Sequence, residues 1–258
     1  MPASAASPLA ALAPGSLAGY WRFQRAVAKA QLAAWLPAPG RLLVDISGPY
    51  ASASAQAASR GHVVIRVVTA PPTAGRRRVR PARAGPAAAR PGTVVPVVAD
   101  PASLAFLADG CADGVIAEDR TLSRHLAAEE LVAEVARVLR PGGQLLACVD
   151  SLTYGMGVLA EQHRWPHLMD VPNADVVLVP WPDGTITRCY GAEQLRELFT
   201  SSGLEVSWIR PRTVFSPRTV SYLLARNPGS FGELVTAELR ARSDDSVGAQ
   251  LVTCARRC

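Results

Sequence analysis

Apolar residues fall into two alternating patterns along the chain as far as residue 149. Short runs rich in Val, Leu and Ile predict buried strands, and these runs lie at 41–46, 62–68, 94–99, 114–117 and 144–149. Apolar residues at helical spacing predict helices at 17–36, 51–59 and 127–139, with a shorter helical segment around Leu104. Strands that alternate with helices indicate parallel βαβ units with right-handed crossovers. Such units make a doubly wound α/β sheet, whose ligand site lies at the carboxyl ends of the strands.

The C-terminal part of the chain is less regular. Residues 151–189 contain several aromatic and histidine residues and are expected to be an insertion after the fifth strand. A helix is predicted at 191–202, a strand at 204–209, and a helical segment at 219–242 that is interrupted near Asn227-Pro228-Gly229. A last strand is predicted at 247–255, at an edge of the sheet.

The composition suits one soluble globular domain, since 49% of the 258 residues are hydrophobic and 19% are charged. The net charge of +6 has a local origin, because six arginines and no acidic residue lie in a Pro-, Ala- and Gly-rich segment at 71–92. We expect that segment to be a disordered, solvated insertion. An RNA-binding or phosphate-binding loop is the alternative. No aromatic side chains are interleaved with the arginines to stack on bases, so nucleic acid is not the expected partner.

Three absences narrow the class of protein further. Residues 1–16 contain no basic residue and are interrupted by prolines, which indicates a flexible tail rather than a secretory signal. No apolar run is long enough to span a membrane. The five cysteines are scattered without metal-ligand spacing, so we expect reduced thiols, a cytoplasmic protein and no metal site.

One stretch of the sequence carries a family resemblance. It includes Asp100 with the small residues after it, the segment 109–116, and a predicted helix that runs through Arg140-Pro141-Gly142-Gly143 into the fifth strand. The segment 188–198, in which a helix opens before the sixth strand, is similar as well. These features resemble the class I S-adenosylmethionine-dependent methyltransferases, especially their small-molecule branch, from residue 41 to about residue 209. The resemblance implies a Rossmann-like sheet of seven strands, mostly parallel with an antiparallel last edge strand.

The resemblance also implies where the cofactor S-adenosylmethionine binds. In the family, its methionine part lies over a glycine-rich turn after the first strand, and in this sequence that turn contains Asp45, Ser47, Gly48 and Ala51. The family usually has an acid followed by three glycines, and Pro49-Tyr50 departs from that pattern. Asp45 is expected to hold the amino group of the cofactor; the alternative is that it binds the amides of its own turn.

The other cofactor contacts are expected at the ends of the next three strands. Val68 stands where the family has an acid that binds the ribose hydroxyls, which weakens cofactor binding unless a group such as Thr69 substitutes. Asp100 and Pro101 are expected at the adenine, where Asp100 could also cap a helix. Glu118 is expected at the adenine or the acceptor, with a solvated loop acid as the alternative.

The insertion is interpreted as a substrate lid over 151–190. His163 in the insertion and Glu118 after the fourth strand are the candidate proton acceptors. Packing of the insertion is the alternative role of His163. His163 and His167 are a poor metal pair, because Pro166 distorts a helix between them.

The sequence therefore predicts methyl transfer from S-adenosylmethionine to an oxygen or nitrogen nucleophile of a small-molecule acceptor. Because the methyl group is already activated, the protein mainly has to align the acceptor with it and exclude water. The alternative is a degenerate methyltransferase fold that acts as a binding or partner protein, which the altered first turn and Val68 motivate. A nicotinamide dehydrogenase is excluded, because the GxGxxG turn and the acid after the second strand are absent.

Overall fold

The computed structural model of the chain describes residues 17–48, 52–69, 90–171, 174, 176–240 and 248–258. The predicted tail at 1–16, Ala51 of the first turn and most of the arginine-rich insertion at 71–92 lie outside the described residues. In the described part of the chain, no helix is both long enough and apolar enough to cross a membrane.

The N-terminal half contains the five predicted strands and the three longer predicted helices, whereas the described chain between the third and fourth strands forms turns. The elements of this half are α1 (Leu17–Trp35), β1 (Leu42–Asp45), α2 (Ser52–Ser59), β2 (Val63–Val68), β3 (Val94–Val98), β4 (Ala112–Ala117), α3 (Thr121–Arg124), α4 (Ala128–Val138) and β5 (Leu139–Ser151). The later elements are α5 (Leu152–Glu161), α6 (Trp165–Asp170), β6 (Val177–Pro180), β7 (Ile186–Tyr190), α7 (Ala192–Ser201), β8 (Leu204–Arg212), α8 (Pro217–Arg226), a short 3-10 turn (Pro228–Ser230), α9 (Phe231–Arg240) and β9 (Gln250–Arg257).

One sheet contains all nine strands of the described residues. The five strands of the N-terminal half pair in parallel in the order β3-β2-β1-β4-β5. The doubly wound α/β fold predicted from the sequence is thereby confirmed. Because these five strands are parallel, their carboxyl ends meet on one side of the molecule, which we call the carboxyl end of the sheet.

Helices cover both faces of the sheet. On one face α4 and α7 bury Leu131, Val135 and Leu195 against the strands. On the other face α1 and α2 bury Trp35 and Ala57. Two covered faces explain why the central strands read as continuous apolar runs rather than as alternating ones.

The last strand, β9, is antiparallel as predicted, but the prediction that it lies at the edge is wrong. It pairs with β5 on one side and with β8 on the other, so β8 is the outer strand. The five residues from Leu251 to Ala255 are all buried. A run without an exposed face suits the interior of a sheet, where both faces of the strand are covered.

The insertion after β5 forms α5, α6 and the antiparallel hairpin of β6 and β7. At Asp150, β5 pairs with β9 on one side and with Cys189 of β7 on the other. The hairpin therefore extends the sheet beyond the end of β4. The packing between α5 and the hairpin is apolar and includes Val158, Leu159, Val177, Val179 and Cys189.

The Arg140-Pro141-Gly142-Gly143 junction lies at the amino end of the sheet. The strand already begins at Leu139, and the junction bulges out between two register positions of β4 and β5. Gly142 has a φ of +75°, and a Cβ on Gly143 would stand 2.9 Å from the Arg140 carbonyl oxygen. The backbone conformation of the junction therefore requires both glycines. The junction lies away from the carboxyl end of the sheet.

The segment around Leu104 consists of turns, so the prediction of a helix there is wrong. Leu104 is fully buried, and the Arg137 guanidinium of α4 donates to the carbonyls of Leu104 and Leu107, at 2.9 Å in each case. A side chain from another element satisfies carbonyls that a helix would have bonded internally. Local periodicity does not reveal such a long-range contact.

Candidate cofactor and acceptor site

The turn after β1 is organised by the Asp45 carboxylate, which is almost fully buried. Its Oδ1 accepts a hydrogen bond from the Ser47 amide at 3.0 Å, and its Oδ2 accepts one from Ser54 Oγ of α2. Ser47 Oγ in turn accepts the Glu118 amide at 3.0 Å. Asp45 thus stabilises its own turn by hydrogen bonds, and Ser47 joins that turn to the end of β4.

Gly48 leaves this turn open to a close approach of a ligand to the backbone. Its φ of +94° is a conformation that glycine adopts without steric strain. Two guanidinium groups lie beside it. Arg124 Nη2 would be 3.6 Å from a Cβ at this position, and Arg66 Nη2 lies 3.5 Å from the Gly48 carbonyl oxygen. The Asp119 carboxylate, paired with Arg124, would be 3.9 Å from the same Cβ, so two guanidinium groups and one carboxylate border the turn.

The ends of β2 and β3 carry fewer polar side chains than the turn after β1. Val68 is half-buried and pairs with Val98 in the parallel register. Asp100 is exposed, and its Oδ1 accepts the Ala102 amide at 2.9 Å across the half-buried Pro101. No helix begins at this point, so Asp100 stabilises a turn. Its second carboxylate oxygen has no hydrogen-bond partner within the described ranges.

Three consecutive charged residues follow β4, and each pairs with a different part of the chain. The ion pairs are Glu118 with Arg212 at the end of β8, Asp119 with Arg124 of α3, and Arg120 with Asp150 near the end of β5. Asp119 and Arg120 both have positive φ, 57° and 60°. This conformation costs a non-glycine residue about 1–2 kcal/mol, so the surrounding contacts must hold the turn in place.

The Glu118–Arg212 pair is buried and bidentate. Arg212 Nη1 and Nη2 donate to the two Glu118 oxygens at 2.6 and 2.9 Å, and Arg212 Nε donates to Gln31 of α1 at 2.6 Å. A buried ion pair is tolerated only when its geometry is good and its remaining donors are satisfied. Both carboxylate oxygens of Glu118 are engaged by the same guanidinium.

The Arg120–Asp150 pair has a different geometry. Arg120 Nη1 lies 3.3 Å from Asp150 Oδ2, and the exposed fractions of the two side chains are 33% and 1%. Ser123 Oγ accepts the Asp150 amide at 2.8 Å, which fixes the backbone below the carboxylate. Burial raises the pKa of Asp150 to about 6, because the nearby Arg120 lowers it by less than burial raises it.

Known proteins share both the sequence pattern and the fold. Residues 42–147 match the family model of a methyltransferase domain. An S-adenosylmethionine-dependent methyltransferase from Mesorhizobium loti superposes with a TM-score of 0.55 at 18% identity, over 91% of this chain and 100% of that one. The chain has the class I methyltransferase fold. S-adenosylmethionine is the cofactor that the family match and this fold indicate.

Two further solved structures with the methyltransferase fold differ in what they do. One is a Burkholderia thailandensis N1-methyltransferase with bound 1,6-didemethyltoxoflavin and S-adenosylhomocysteine; its identity is 18%, its TM-score 0.54, and the match covers 92% of this chain and 80% of that one. The other is the cyclase SpnF, with 18% identity, a TM-score of 0.51 and coverage of 91% and 80%. None of the curated proteins matches the sequence.

Two aromatic side chains of the insertion follow Asp150, and the first of them, Tyr154, is near its carboxylate. Tyr154 is in the first turn of α5, and its ring centroid is 6.3 Å from that of Trp181. Burial and the nearby Asp150 raise the pKa of Tyr154 to about 12. Trp181 Nε1 donates to Thr187 Oγ1 at 2.8 Å, which anchors the indole to the hairpin.

The structure does not bring the two predicted proton acceptors, His163 and Glu118, together. His163 is exposed, with a φ of 55°, and its ring centroid is 6.1 Å from that of Trp165. It follows the end of α5, and Asp150 precedes the start of that helix, whose ten residues span roughly 15 Å. The roles of His163 and Glu118 in proton transfer stay predictions.

Four charged residues of the site were missed by the sequence reasoning: Arg66, Arg120, Asp150 and Arg212. Asp150 directly follows the predicted fifth strand, so the rule that selected Glu118 also applies to it. Arg212 gives no comparable signal, because it lies beyond the predicted end of its strand and its partner is 94 positions away.

Proposed function

We propose that this chain transfers a methyl group from S-adenosylmethionine to an oxygen or nitrogen atom of a small-molecule acceptor. The observation that carries the proposal is the meeting of two turns, at 45–48 and at 118–120, at the carboxyl end of the sheet. Ser47 Oγ and the Glu118 amide join them at 3.0 Å. A ligand bound at one turn therefore lies beside the other.

The described residues fit the methionine part of the cofactor. Gly48 allows close approach to the backbone, and the guanidinium groups of Arg66 and of Arg124, the latter in its ion pair with Asp119, lie beside it as positive groups near the carboxylate of the ligand. Asp45 uses one lone pair on each oxygen for the turn, which leaves acceptor capacity for an amino group. The bound cofactor supplies a methyl group on a positively charged sulfur, an electrophile that needs no further activation.

The fit is poorer at the nucleoside part of the cofactor. The exposed Asp100 carboxylate can accept from the adenine amine, and Pro101 beside it gives an apolar surface for the ring. Val68 offers no acceptor for the ribose hydroxyls, so Thr69, exposed after β2, is the group assigned to them. Loss of a carboxylate at this point costs a hydrogen bond to a charged group, about 1.5–3 kcal/mol when made.

The insertion at 151–190 is the lid of the proposed site. The hairpin of β6 and β7 continues the sheet past the end of β4, and α5 packs against it. Both therefore stand over the carboxyl end, where exclusion of water and alignment of the acceptor supply most of the catalysis.

The charges near the acceptor favour a nucleophile that reacts without a protein base. Both carboxylate oxygens of Glu118 are hydrogen-bonded to the buried Arg212 guanidinium, so the carboxylate is directed into the protein and away from an acceptor. His163 lies at the far end of α5. A neutral amine or an already ionised oxygen needs no proton removed before transfer, and we infer an acceptor of that kind.

The second candidate is a degenerate methyltransferase fold that binds a ligand without transfer. Val68 in place of the ribose-binding acid favours it, as does the hydrogen bonding of Asp45 within its own turn. The cyclase among the solved structures supports the general point that this fold also serves other chemistry.

Calorimetric titration with S-adenosylmethionine separates the two candidates. We expect binding at micromolar to millimolar cofactor. Gly48→Ala should weaken it at least tenfold, because the added methyl strains the turn and blocks the approach. Gly142→Ala is the matched control, since Gly142 also has a positive φ, +75°, but lies at the amino end. No binding at millimolar cofactor, or equal losses in both variants, would reject the transferase proposal.

The acceptor itself can be found by mass spectrometry. Cell extract is incubated with the protein and with methyl-labelled cofactor, and a metabolite that gains one labelled methyl group identifies the substrate. Cofactor binding without any labelled product would favour the degenerate fold.

A further inference from the structure

The Arg120 guanidinium uses only part of its hydrogen-bonding capacity. Its Nη1 donates to Asp150 Oδ2 at 3.3 Å, and none of its other N–H groups has an acceptor in the described part of the chain. A third of the side chain, 33%, is exposed. Since a guanidinium presents donors on all three nitrogens, most of its donors are available to a ligand.

Among the residues that the structure describes, no second acid takes up these donors. Asp119 is bound by Arg124 at 2.8 Å, and Asp150 is almost fully buried behind the guanidinium. The first turn of α5, capped by Ser151, contains no acidic residue, so the positive end of its dipole lies at the same place. The local field therefore favours a negative group in front of Arg120.

The position of Arg120 relates this field to the proposed reaction. It stands two residues after Glu118, whose amide is bonded to the turn after β1, and its partner Asp150 lies in β5 directly before the insertion, which contains Tyr154 and Trp181. The guanidinium thus lies between the cofactor turn and the aromatic part of the insertion. A small planar molecule with an acidic group fits this combination.

A purely structural role would predict a different geometry. The Glu118–Arg212 pair, which braces the same turn, is bidentate and buried, with Nε bound by Gln31. Within the described residues, the Arg120 side chain makes one hydrogen bond, and its backbone has a conformation that residues other than glycine rarely adopt. Strained residues that hold a partly free charged group are typical of ligand sites.

We propose that Arg120 binds a carboxylate or phosphate group of the acceptor, and that Asp150 holds the guanidinium in place. That this ligand is the methyl acceptor rests on the proposed function, but that Arg120 binds an anion does not. The acceptor would then be an acidic small molecule, methylated at another oxygen or at a nitrogen within reach of the cofactor.

The test uses small anions as probes of the full-length protein, with and without saturating S-adenosylhomocysteine. Benzoate, inorganic phosphate and the uncharged benzamide are titrated separately, and binding is measured by ligand-observed NMR. We expect benzoate or phosphate to bind and benzamide to bind at least tenfold more weakly. Whichever anion binds tells whether the acidic group is a carboxylate or a phosphate.

Three substitutions locate the bound anion. Arg120→Gln should weaken its affinity at least tenfold, whereas Arg120→Lys should keep part of it. Arg120→Asn repeats the loss with a residue that accepts positive φ, so that a folding defect of the first variant does not decide the result. Arg140→Gln is the control, because Arg140 is also a partly exposed arginine paired with an aspartate, Asp113 at 2.7 Å, but lies at the amino end.

Several outcomes would overturn the proposal. They are the absence of binding by both anions, equal binding of benzamide, an unchanged affinity in both Arg120→Gln and Arg120→Asn, or a loss in Arg140→Gln instead. A different outcome would reject only the transferase function: anion binding that depends on Arg120 in a protein that does not bind S-adenosylhomocysteine.

Discussion

The two ion pairs at either end of the 118–120 turn differ in burial, in the number of hydrogen bonds and in the distance between the charged groups. Glu118 and Arg212 are both buried and meet through two short hydrogen bonds, with Gln31 as a third partner. Arg120 and Asp150 meet through one contact of 3.3 Å, with the arginine partly in solvent. The first pair therefore joins β4, β8 and α1. The second pair, in the described part of the chain, leaves most N–H donors of Arg120 without a protein acceptor. Three experiments test this division of roles.

The largest effect is expected from Arg212→Met. Glu118 would keep a buried charge without a partner, so the free energy of unfolding at pH 7 should fall by about 3–5 kcal/mol. Urea unfolding measures it. The double variant with Glu118→Leu should recover most of the loss, because it removes the charge as well. Arg140→Met removes an arginine that is 46% exposed, and Asp113 keeps Arg41 and the Leu42 amide as partners, so the stability should change by less than about 1 kcal/mol. Similar losses in the Arg212 and Arg140 variants would contradict the comparison.

An intermediate effect is expected from the pH dependence of Asp150. Its pKa is raised to about 6 in the folded protein, so between pH 4 and pH 6 the folded state holds a proton that the unfolded state has lost. Stability then falls as the pH rises through this window. The contribution is about 3 kcal/mol at the 1.36 kcal/mol that one pKa unit represents.

Asp150→Asn should remove this component. The difference in unfolding free energy between the variant and the parent protein, measured from pH 4 to pH 8, should grow in favour of the variant up to about pH 6 and then level off. A difference that does not change with pH would show that Asp150 titrates normally, and the burial argument would fail.

The smallest effect is expected from Arg120→Asn. Asparagine tolerates the positive φ, and Asp150 can take up a proton when its partner is removed. The free energy of unfolding at pH 7 should therefore fall by only about 1 kcal/mol or less, as for a partly exposed pair. A loss as large as that of Arg212→Met would mean that both pairs are structural.

Local pattern was enough to predict the five parallel strands, because each strand is a contiguous apolar run that ends at a turn. The same rule places Asp45, Asp100 and Glu118 at the carboxyl end, and the structure confirms those positions. The edge position predicted for β9 was wrong, because the sequence of a strand does not show whether it pairs with one neighbouring strand or with two.

The partners of the site residues could not be predicted in the same way. Nothing near Glu118 in sequence indicates that a guanidinium from β8 will occupy both its oxygens, since 94 positions separate the two residues. The sequence also does not distinguish Arg120 from other loop residues. Its positive φ is imposed by contacts on either side of the turn, and no local signal marks it.

The interior position of β9 also has a consequence for synthesis. β5 can complete its pairing only after Gln250–Arg257 has been made, about 100 residues later, and β8 has no other partner strand among the described residues. A nascent chain that already contains β1 to β5 therefore exposes an unpaired, apolar strand side, which is the kind of surface that aggregates or recruits chaperones. The sheet should therefore be completed only once residues 250–257 are available for pairing.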